Sequence, residues 1–304
     1  MRVLVTGATG FLGRALCRKL LEGGHELLGL SRTTGKLDSS YSKKAIKYVA
    51  YNMGEELPLD VIDYAPEVLV HLAWDGIPDF SRQKCVENVE SQLEFLKETE
   101  KISGLKKVVS AGTCREYGAK QGACLEGERF PPDSYFSWAK QSLGDYFAFD
   151  CRRREMCFVW FRIYYVYGPG QRAESLIPML IKAFRTNKAP EISNPAAAND
   201  YIYVDDVVNA FVKAVENESC DGFFNLGSGK TTPVAEISGL VEHVISNSND
   251  FSSKLIKKVA SIKSGSGMWA DITSSGQKLG WAPQVSLIEG INRTIDGVCD
   301  DGDS

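Results

Sequence analysis

The sequence opens with the stretch MRVLVTGATGFLG, residues 1–13, and this stretch decides the fold. The apolar run Arg2–Thr6 predicts a short strand, and apolar residues at helical spacing over Phe11–Glu22 predict a helix directly after it. Glycines recur at every third position through the turn: Gly7, Gly10 and Gly13. Glycines let the backbone turn tightly, and a helix N-terminus presents unpaired N–H groups with a partial positive charge. Strand, glycine loop and helix in this order predict a cradle for the diphosphate of a dinucleotide.

The expected dinucleotide contacts follow from this cradle and from the end of the next strand. At the cradle we expect Gly7, Thr9, Gly10, Phe11, Leu12 and Gly13. Ser31 and Arg32 end the second strand, where an acidic residue would accept a hydrogen bond from the ribose 2′-hydroxyl of NAD(H). A guanidinium instead matches the geometry of a phosphate. We therefore expect NADP(H) to be favoured, with NAD(H) possible.

Strand and helix patterns alternate along most of the chain. The predicted strands are Arg2–Thr6, Glu26–Leu30, Ile46–Tyr51, Val68–Leu72, Lys106–Ser110, Cys157–Ile163 and Gly222–Leu226. The predicted helices are Phe11–Glu22, Ser81–Thr99, Ser134–Arg153, Leu176–Arg185 and Val204–Glu216. Such alternation predicts an α/β fold, a doubly wound parallel (Rossmann) sheet with a smaller mixed C-terminal substrate lobe. We expect residues 1–166 plus 200–227 to bind the dinucleotide, and residues 167–199 plus 228–304 to form the substrate lobe.

Composition excludes several classes of function. The 304 residues carry 35 basic and 39 acidic side chains, a net charge of −4, and no block of basic residues, so a nucleic-acid partner is not expected. No apolar run approaches the roughly 20 residues of a membrane span, and the N-terminus does not resemble a signal peptide. The eight cysteines form no CxxC pair, so we expect reduced thiols, no metal site and a cytoplasmic location.

The GxxGxxG spacing after Thr6 resembles that of the extended short-chain dehydrogenase/reductase family, also called the NAD-dependent epimerase/dehydratase family. Further segments are similar to landmarks of that family, in the same order: residues 71–73, 110–118, 162–170, 200–206, 225–229, 269–271 and 279–283. The resemblance covers nearly the whole chain. It implies an enzyme of the branch that modifies nucleotide-linked sugars, with Leu72 and Ala73 near the nicotinamide.

The resemblance also implies a catalytic set, in which one residue departs from the family pattern. The family uses a Ser or Thr hydroxyl, matched here by Thr113, and a Tyr four residues before a Lys, matched here by Lys140. The tyrosine position holds Phe136, which carries no hydroxyl. Tyr135 is adjacent, but one residue along a helix rotates the side chain by about 100°. Two explanations stay open: a deliberate replacement that traps a ligand, which retention of the other residues favours, or a natural phenylalanine with lost or changed activity.

The substrate residues are expected from the same resemblance. They are Trp74, Thr113, Tyr165, Arg172, Leu176, Asn199 and Lys263, alongside Lys140 in the cofactor set. Asn199 stands where the family has an arginine that holds the substrate diphosphate, and Lys263 lies near the place of a second one. A diphosphate needs positive charge and N–H donors, so these departures leave the anchoring residues and the base open.

The resulting hypothesis is an NADP(H)-dependent oxidoreductase that reduces the 4-keto group of a nucleotide-linked sugar. One alternative is an NAD-dependent nucleotide-sugar 4-epimerase, and another is a non-catalytic NADP-binding sensor or scaffold. A 4,6-dehydratase is disfavoured because only Glu116 follows Thr113 as a candidate acid. By resemblance, the helices Ser81–Thr99 and Ser134–Arg153 pair between two subunits in a four-helix bundle, so we expect a homodimer.

Overall fold

The computed structural model describes residues 1–32, 46–246 and 267–300. Its strands are β1 (Arg2–Thr6), β2 (Glu26–Ser31), β3 (Ile46–Ala50), β4 (Val68–His71), β5 (Lys107–Thr113), β6 (Gly122–Cys124), β7 (Cys157–Ile163), β8 (Tyr165–Tyr167), β9 (Ala198–Asn199), β10 (Tyr201–Tyr203), β11 (Gly222–Leu226), β12 (Thr232–Pro233) and β13 (Met268–Ala270). Its helices are α1 (Phe11–Glu22), α2 (Leu59–Tyr64), α3 (Arg82–Glu98), α4 (Tyr135–Arg153), α5 (Leu176–Arg185), α6 (Val204–Glu216), α7 (Val234–Ser246), α8 (Thr273–Leu279) and α9 (Leu287–Asp300).

Seven strands form one parallel sheet in the order β11-β7-β5-β4-β1-β2-β3. The chain leaves the centre first toward β3 and then toward β11, so the strand order reverses beside β1. Such a reversal opens a crevice at the carboxyl ends of the strands, where α/β proteins bind ligands. Thr6 ends β1 there, between Leu30 of β2 and His71 of β4. The predicted doubly wound fold is confirmed.

Two apolar layers enclose the sheet, as expected for strands buried on both faces. Val3 and Val5 of β1 pack into one core cluster, which includes α1, α5 and α6. Leu4 points the other way, into a cluster that includes α3 and α4. The alternation follows from the two-residue period of a strand. The alternation of side chains thus assigns α1, α5 and α6 to one face of the sheet and α3 and α4 to the other.

The seven predicted sheet strands are present, and the differences lie at element ends. β5 runs on to Thr113, three residues past the predicted end, because its pairing with β7 continues until Thr113 lies opposite Ile163. α4 begins at Tyr135 because Ser134 is its N-cap and accepts a hydrogen bond from the amide of Ser137. The extension of β5 places Thr113 at the edge of the crevice.

Short ladders join the segments beyond β7: β8 pairs with β10, β9 with β12 and β6 with β13. The fully buried carboxylate of Asp200 accepts hydrogen bonds from the amides of Ser228, Gly229 and Ala270. Asp200 thereby joins three segments that are far apart in sequence: its own, the one with Ser228 and Gly229, and the one with Ala270.

Among the described residues, none of the helices combines the length and apolar composition of a bilayer span. The seven cysteines whose side chains the structure describes are all free thiols. Within the same part of the chain, no group of three or more His, Cys, Asp and Glu side chains is arranged to hold a metal ion.

Candidate functional site

The glycine loop between β1 and α1 has the geometry of a diphosphate cradle. Gly7 has a left-handed backbone, with φ of 66°. A Cβ on Gly13 would lie 2.1 Å from the carbonyl oxygen of Gly7, so only glycine lets the helix pack this close to the strand. Gly10 is the N-cap of α1 and provides no side-chain cap. The first amides of the helix are thus left for an anion, and the loop fits a dinucleotide.

A buried hydrogen-bond chain fixes the backbone beside this loop. His71 is almost fully buried, which lowers its pKa to about 4 and keeps the ring neutral. Its Nε2 lies 3.0 Å from Oε1 of Gln92, an acceptor, so Nε2 carries the proton and Nδ1 accepts from the Thr6 hydroxyl at 2.9 Å. The Thr6 oxygen in turn accepts from the amides of Leu72 and Ala73, each at 3.2 Å. These two residues therefore lie directly against the end of β1.

The loop after β4 is held by Asn88 of α3. The Asn88 side chain accepts from the amide of Asp75 at 2.8 Å and donates to its carbonyl at 3.0 Å. The Asp75 carboxylate then forms salt bridges with Arg32 and, at 3.1 Å, with Lys84. These cations, with Lys84 as the largest contribution, lower the pKa of the Asp75 carboxyl.

The end of β2 meets the glycine loop through two hydroxyl groups. The side chain of Ser31 lies 2.9 Å from that of Thr9, oxygen to oxygen. Arg32 follows, and its side chain, 70% exposed, forms a salt bridge with Asp75. The predicted pair of Ser31 and Arg32 thus lies beside the cradle, but the guanidinium already contacts a carboxylate.

Lys140 lies one helical turn after Phe136 in a nearly closed, largely aromatic environment. Its Nζ donates to the carbonyl of Ala111 at 2.9 Å and lies 4.4 Å from the centre of the Trp74 ring. The Trp160 ring is 5.8 Å away on another side. Lys140 is 7% exposed, and this burial lowers the pKa of its ammonium to about 8.

The Phe136 ring belongs to a group of three aromatic side chains, Trp74, Phe80 and Phe136. The ring centres of Phe136 and Phe80 are 4.4 Å apart, and the Trp74 ring meets Phe136 edge-on at 5.1 Å. Tyr135 is exposed, and its hydroxyl forms no hydrogen bond with any residue that the structure describes. The position that would carry the phenol is therefore filled by a packed hydrocarbon ring.

Thr113 ends β5 two residues beyond Ala111, the residue that accepts from Lys140. Its side chain accepts from the amide of Arg115, while its own amide donates to Glu116 at 2.8 Å. Glu116 is 3% exposed, pairs with Arg162 at 2.9 Å and accepts from the Trp160 indole at 2.9 Å. The Glu116 carboxyl group thus accepts hydrogen bonds from three protein groups, an arrangement typical of a structural role.

The remaining predicted substrate residues follow β7 in the chain. Tyr165 lies on β8 and is partly exposed, with its ring 5.9 Å from that of Tyr201. Asn199 donates to the Tyr201 hydroxyl at 3.2 Å, and Leu176 begins α5. Arg172 is exposed in the preceding loop. Lys263 lies outside the described residues.

Comparison with known proteins agrees with this geometry. The model of the NAD dependent epimerase/dehydratase family matches residues 3–227. The chain belongs to this family. This epimerase/dehydratase family member is 25% identical to the Escherichia coli dTDP-4-dehydro-6-deoxyglucose reductase, over 97% of each chain. It is 26% identical to a Mycolicibacterium smegmatis UDP-glucose 4-epimerase, over 97% of this chain and 98% of the other.

A solved relative supports the fold of this family member. The Bacillus cereus UDP-glucuronic acid 4-epimerase in complex with NAD superposes with a TM-score of 0.83 at 24% identity, covering 100% of this chain and 99% of that one. The two curated relatives are named for dTDP- and UDP-linked sugars, and the matching family model is that of NAD dependent epimerases and dehydratases.

Sequence reasoning missed several residues of this site. Asp75 and Phe80 lie in the loop after β4, and no local pattern marked them as partners of Arg32 and Phe136. Trp160 was predicted only as part of a strand, although its indole is fixed beside Lys140. An aromatic or acidic residue in such a loop carries no periodic signal, so nothing short of the three-dimensional contacts identifies it.

Proposed function

We propose that this chain is an NADP(H)-dependent oxidoreductase that reduces the 4-keto group of a nucleotide-linked sugar. The observation that carries the proposal is the position of Lys140, whose ammonium contacts β5 two residues before Thr113. Both lie at the carboxyl edge of the sheet that also holds the glycine cradle. This is the placement required of groups that act on a carbonyl beside a bound dinucleotide.

The residues have separate tasks in this reaction. A reduced dinucleotide, when bound on the glycine loop, supplies the hydride. The Thr113 hydroxyl donates a hydrogen bond to the carbonyl oxygen and orients it. Phe136 contributes an apolar wall with Trp74 and Phe80 but no proton. We therefore expect slow turnover with intact cofactor binding.

NADP(H) is proposed because Arg32 directly follows β2, and a 2′-phosphate lies at this strand end in dinucleotide complexes. The E. coli relative, a reductase named for a 4-dehydro-6-deoxy sugar, supports reduction. A second candidate is an NAD-dependent 4-epimerase. Its support is the pairing of Arg32 with Asp75, because that carboxylate competes with a 2′-phosphate for the same guanidinium.

A non-catalytic sensor or scaffold is the third candidate, and its support is the missing phenol at Phe136. We further propose that residues 1–166 plus 200–227 form the dinucleotide unit and residues 167–199 plus 228–304 the substrate lobe. Arg172 and Asn199 of that lobe, together with Tyr165 of the dinucleotide unit, are proposed to contact the nucleotide-sugar diphosphate, with Lys263 as a further cation.

We also propose a homodimer through α3 and α4. Large apolar and aromatic side chains are exposed along α4, which is uncommon on a solvated helix: Tyr135, Trp138, Tyr146 and Phe149. A second copy that packs α3 and α4 against these residues would cover them in a four-helix bundle.

Calorimetric titration, combined with an NADPH-oxidation assay of Phe136→Tyr, separates the reductase from the sensor. The chain is titrated with NADPH and NADH, and then with UDP-, GDP-, CDP- and dTDP-linked 4-keto sugars in the presence of the dinucleotide. Reductase function requires binding of a dinucleotide and one sugar nucleotide, and sugar-dependent oxidation of NADPH by Phe136→Tyr. Binding of the dinucleotide alone, with no oxidation by that variant, supports the sensor. No binding of any dinucleotide by folded protein contradicts the proposal.

A further inference from the structure

We propose that the Lys140 ammonium is itself the proton donor to the carbonyl oxygen in this chain. The inference rests on the reductase function proposed above. It assigns Lys140 a direct chemical task, where the family resemblance implies only that lysine binds the ribose and tunes a phenol.

The phenylalanine ring leaves no room for a neighbouring phenol to take its place. Phe136 packs against Phe80 and Trp74, with ring centres 4.4 Å and 5.1 Å away. Tyr135 is half exposed and follows the N-cap Ser134 on the outer side of α4. A one-residue rotation of about 100° separates it from the face that carries Phe136 and Lys140.

The other titratable groups close to Lys140 are already engaged. His71 on β4 is neutral, and both ring nitrogens are hydrogen-bonded, to Thr6 and Gln92. Glu116 is paired with Arg162 of β7. Neither group can deliver a proton without breaking its buried hydrogen bonds or ion pair. Breaking these buried interactions costs more free energy than a proton transfer between groups in contact with water.

Two further titratable groups close to Glu116 in sequence are also unsuitable as proton donors. The Tyr117 hydroxyl is held by Asn225 at 2.8 Å and by Arg162 at 3.0 Å, and burial raises its pKa. The Cys114 thiol is buried, which raises its pKa to about 12. Buried residues of α3, the helix against α4, include the uncharged Asn88 and Gln92 and the thiol of Cys85.

Lys140 differs from all of these groups. Among the described residues it forms no salt bridge; its Nζ has one carbonyl partner, Ala111, and two aromatic neighbours, Trp74 and Trp160. An ammonium has three N–H bonds, and the Ala111 carbonyl is the one hydrogen-bond acceptor for Nζ among the described residues. The nearest carboxylate that acts on it, Glu116, is neutralised by Arg162. Burial without a counter-ion lowers its pKa to about 8, which suits proton transfer near neutral pH.

Electrons and protons balance in the proposed reduction. The reduced dinucleotide supplies two electrons as hydride to the carbonyl carbon, and the π pair of the C=O bond moves onto oxygen. That oxygen takes a proton from Nζ, which changes from ammonium to amine while Thr113 holds the oxygen by a hydrogen bond. The amine then regains a proton from water, so each turnover consumes one NADPH and one proton.

The test compares Lys140→Arg in two backgrounds, the chain with Phe136 and the chain with Phe136→Tyr. Arginine keeps the positive charge and the hydrogen bonds, but with a pKa above 12 it is a poor acid. We expect Lys140→Arg to lower saturated turnover at least about 100-fold in the Phe136 background. In the Phe136→Tyr background, where the phenol donates, we expect less than about a tenfold loss. Calorimetry of each variant with NADPH checks that the dinucleotide still binds.

A second measurement does not require turnover. Lysine ε-¹³C resonances of the protein without ligands are followed against pH, and Lys140 is assigned by its loss in Lys140→Met. We expect a midpoint near pH 8 for Lys140. In the Phe136 chain, reduction should fall with increasing pH through the same midpoint, because the donor must be protonated.

The outcomes separate the two proposals. Equal losses in both backgrounds, or no loss with Phe136, contradict the donor role and leave the reductase function standing. A Lys140 midpoint above pH 10 also contradicts the donor role. If Phe136→Tyr reduces none of the sugar nucleotides, the reductase function and the donor role both fail.

Discussion

The ammonium nitrogen of Lys140 lies 4.4 Å from the centre of the Trp74 ring, so a residue of the loop after β4 covers this lysine. Cation–π contacts of this kind are worth about 0.5–2 kcal/mol, depending on how far they are desolvated. The charge is thus tolerated in a nearly closed space without an ion pair. The consequence for stability can be measured.

The first prediction concerns Lys140→Met. The folded-state pKa of Lys140 is about 8, below its ordinary value of 10.5, so the unfolded chain binds more protons between these two pH values. Wild-type stability relative to Lys140→Met should therefore increase as pH rises from 8 to 10.5, by up to about 3 kcal/mol. Urea unfolding of both proteins at pH 7, 8.5 and 10 measures the difference. A difference that stays constant with pH would contradict the low pKa.

The second prediction concerns Asp75→Asn. Loss of the carboxylate frees Arg32 for a 2′-phosphate, while the backbone hydrogen bonds of Asp75 to Asn88 remain. Because exposed ion pairs contribute at most about 1 kcal/mol, we expect the ratio of NADPH to NADH affinity to rise about two- to fivefold by calorimetry. Asp60→Asn is the matched control, since Asp60 pairs with Lys47 at 2.8 Å on the surface. The same ratio in the wild type and Asp75→Asn would show that Arg32 does not hold a 2′-phosphate.

The third prediction concerns the glycine loop. In Gly13→Ala the new methyl group would lie 2.1 Å from the backbone oxygen of Gly7, so α1 must move away from β1. We expect a loss of at least about 2 kcal/mol in stability and of measurable dinucleotide binding. Gly127→Ala is the control, because its added methyl group meets no atom within 4 Å. Normal NADPH binding by Gly13→Ala would refute the diphosphate cradle.

The fourth prediction concerns assembly. Phe149 is 63% exposed on α4, and Phe149→Glu places a charge within the proposed apolar interface. Light scattering after size exclusion should change from a dimer to a monomer, with the thermal midpoint depending on protein concentration only in the wild type. Leu59→Glu, at an apolar residue 73% exposed on α2, should leave the dimer intact. A wild-type monomer, or a dimer unaffected by Phe149→Glu, would exclude this interface.

The sequence was sufficient for the elements that depend on local pattern. β1, α1, β7, α5, α6 and β11 begin and end where the periodicity predicted. Ends that depend on partners were less accurate. β5 runs three residues further than predicted because β7 continues to pair with it up to Ile163. Register and pairing length are set between strands, and a single strand does not carry that information.

The candidate site was predictable only where a motif fixed it. The glycine spacing identified Gly7, Gly10 and Gly13, and helical spacing placed Phe136 and Lys140 on one face of α4. The loop after β4 gave no such signal, although Asp75 and Phe80 contact two of the predicted residues. Glu116 was considered as an acid, but its burial against Arg162 decides otherwise.

By itself the sequence determined the parallel α/β sheet, the dinucleotide cradle and the missing hydroxyl at position 136, because each depends on the identity and spacing of residues close together in the chain. Only the tertiary structure decided that Arg32 pairs with Asp75 and that Lys140 lies near the Trp74 and Trp160 rings, with no ion pair to any residue that the structure describes. These contacts join residues that are far apart in sequence. Their strength depends on burial, and burial arises only once the strands have assembled into the sheet.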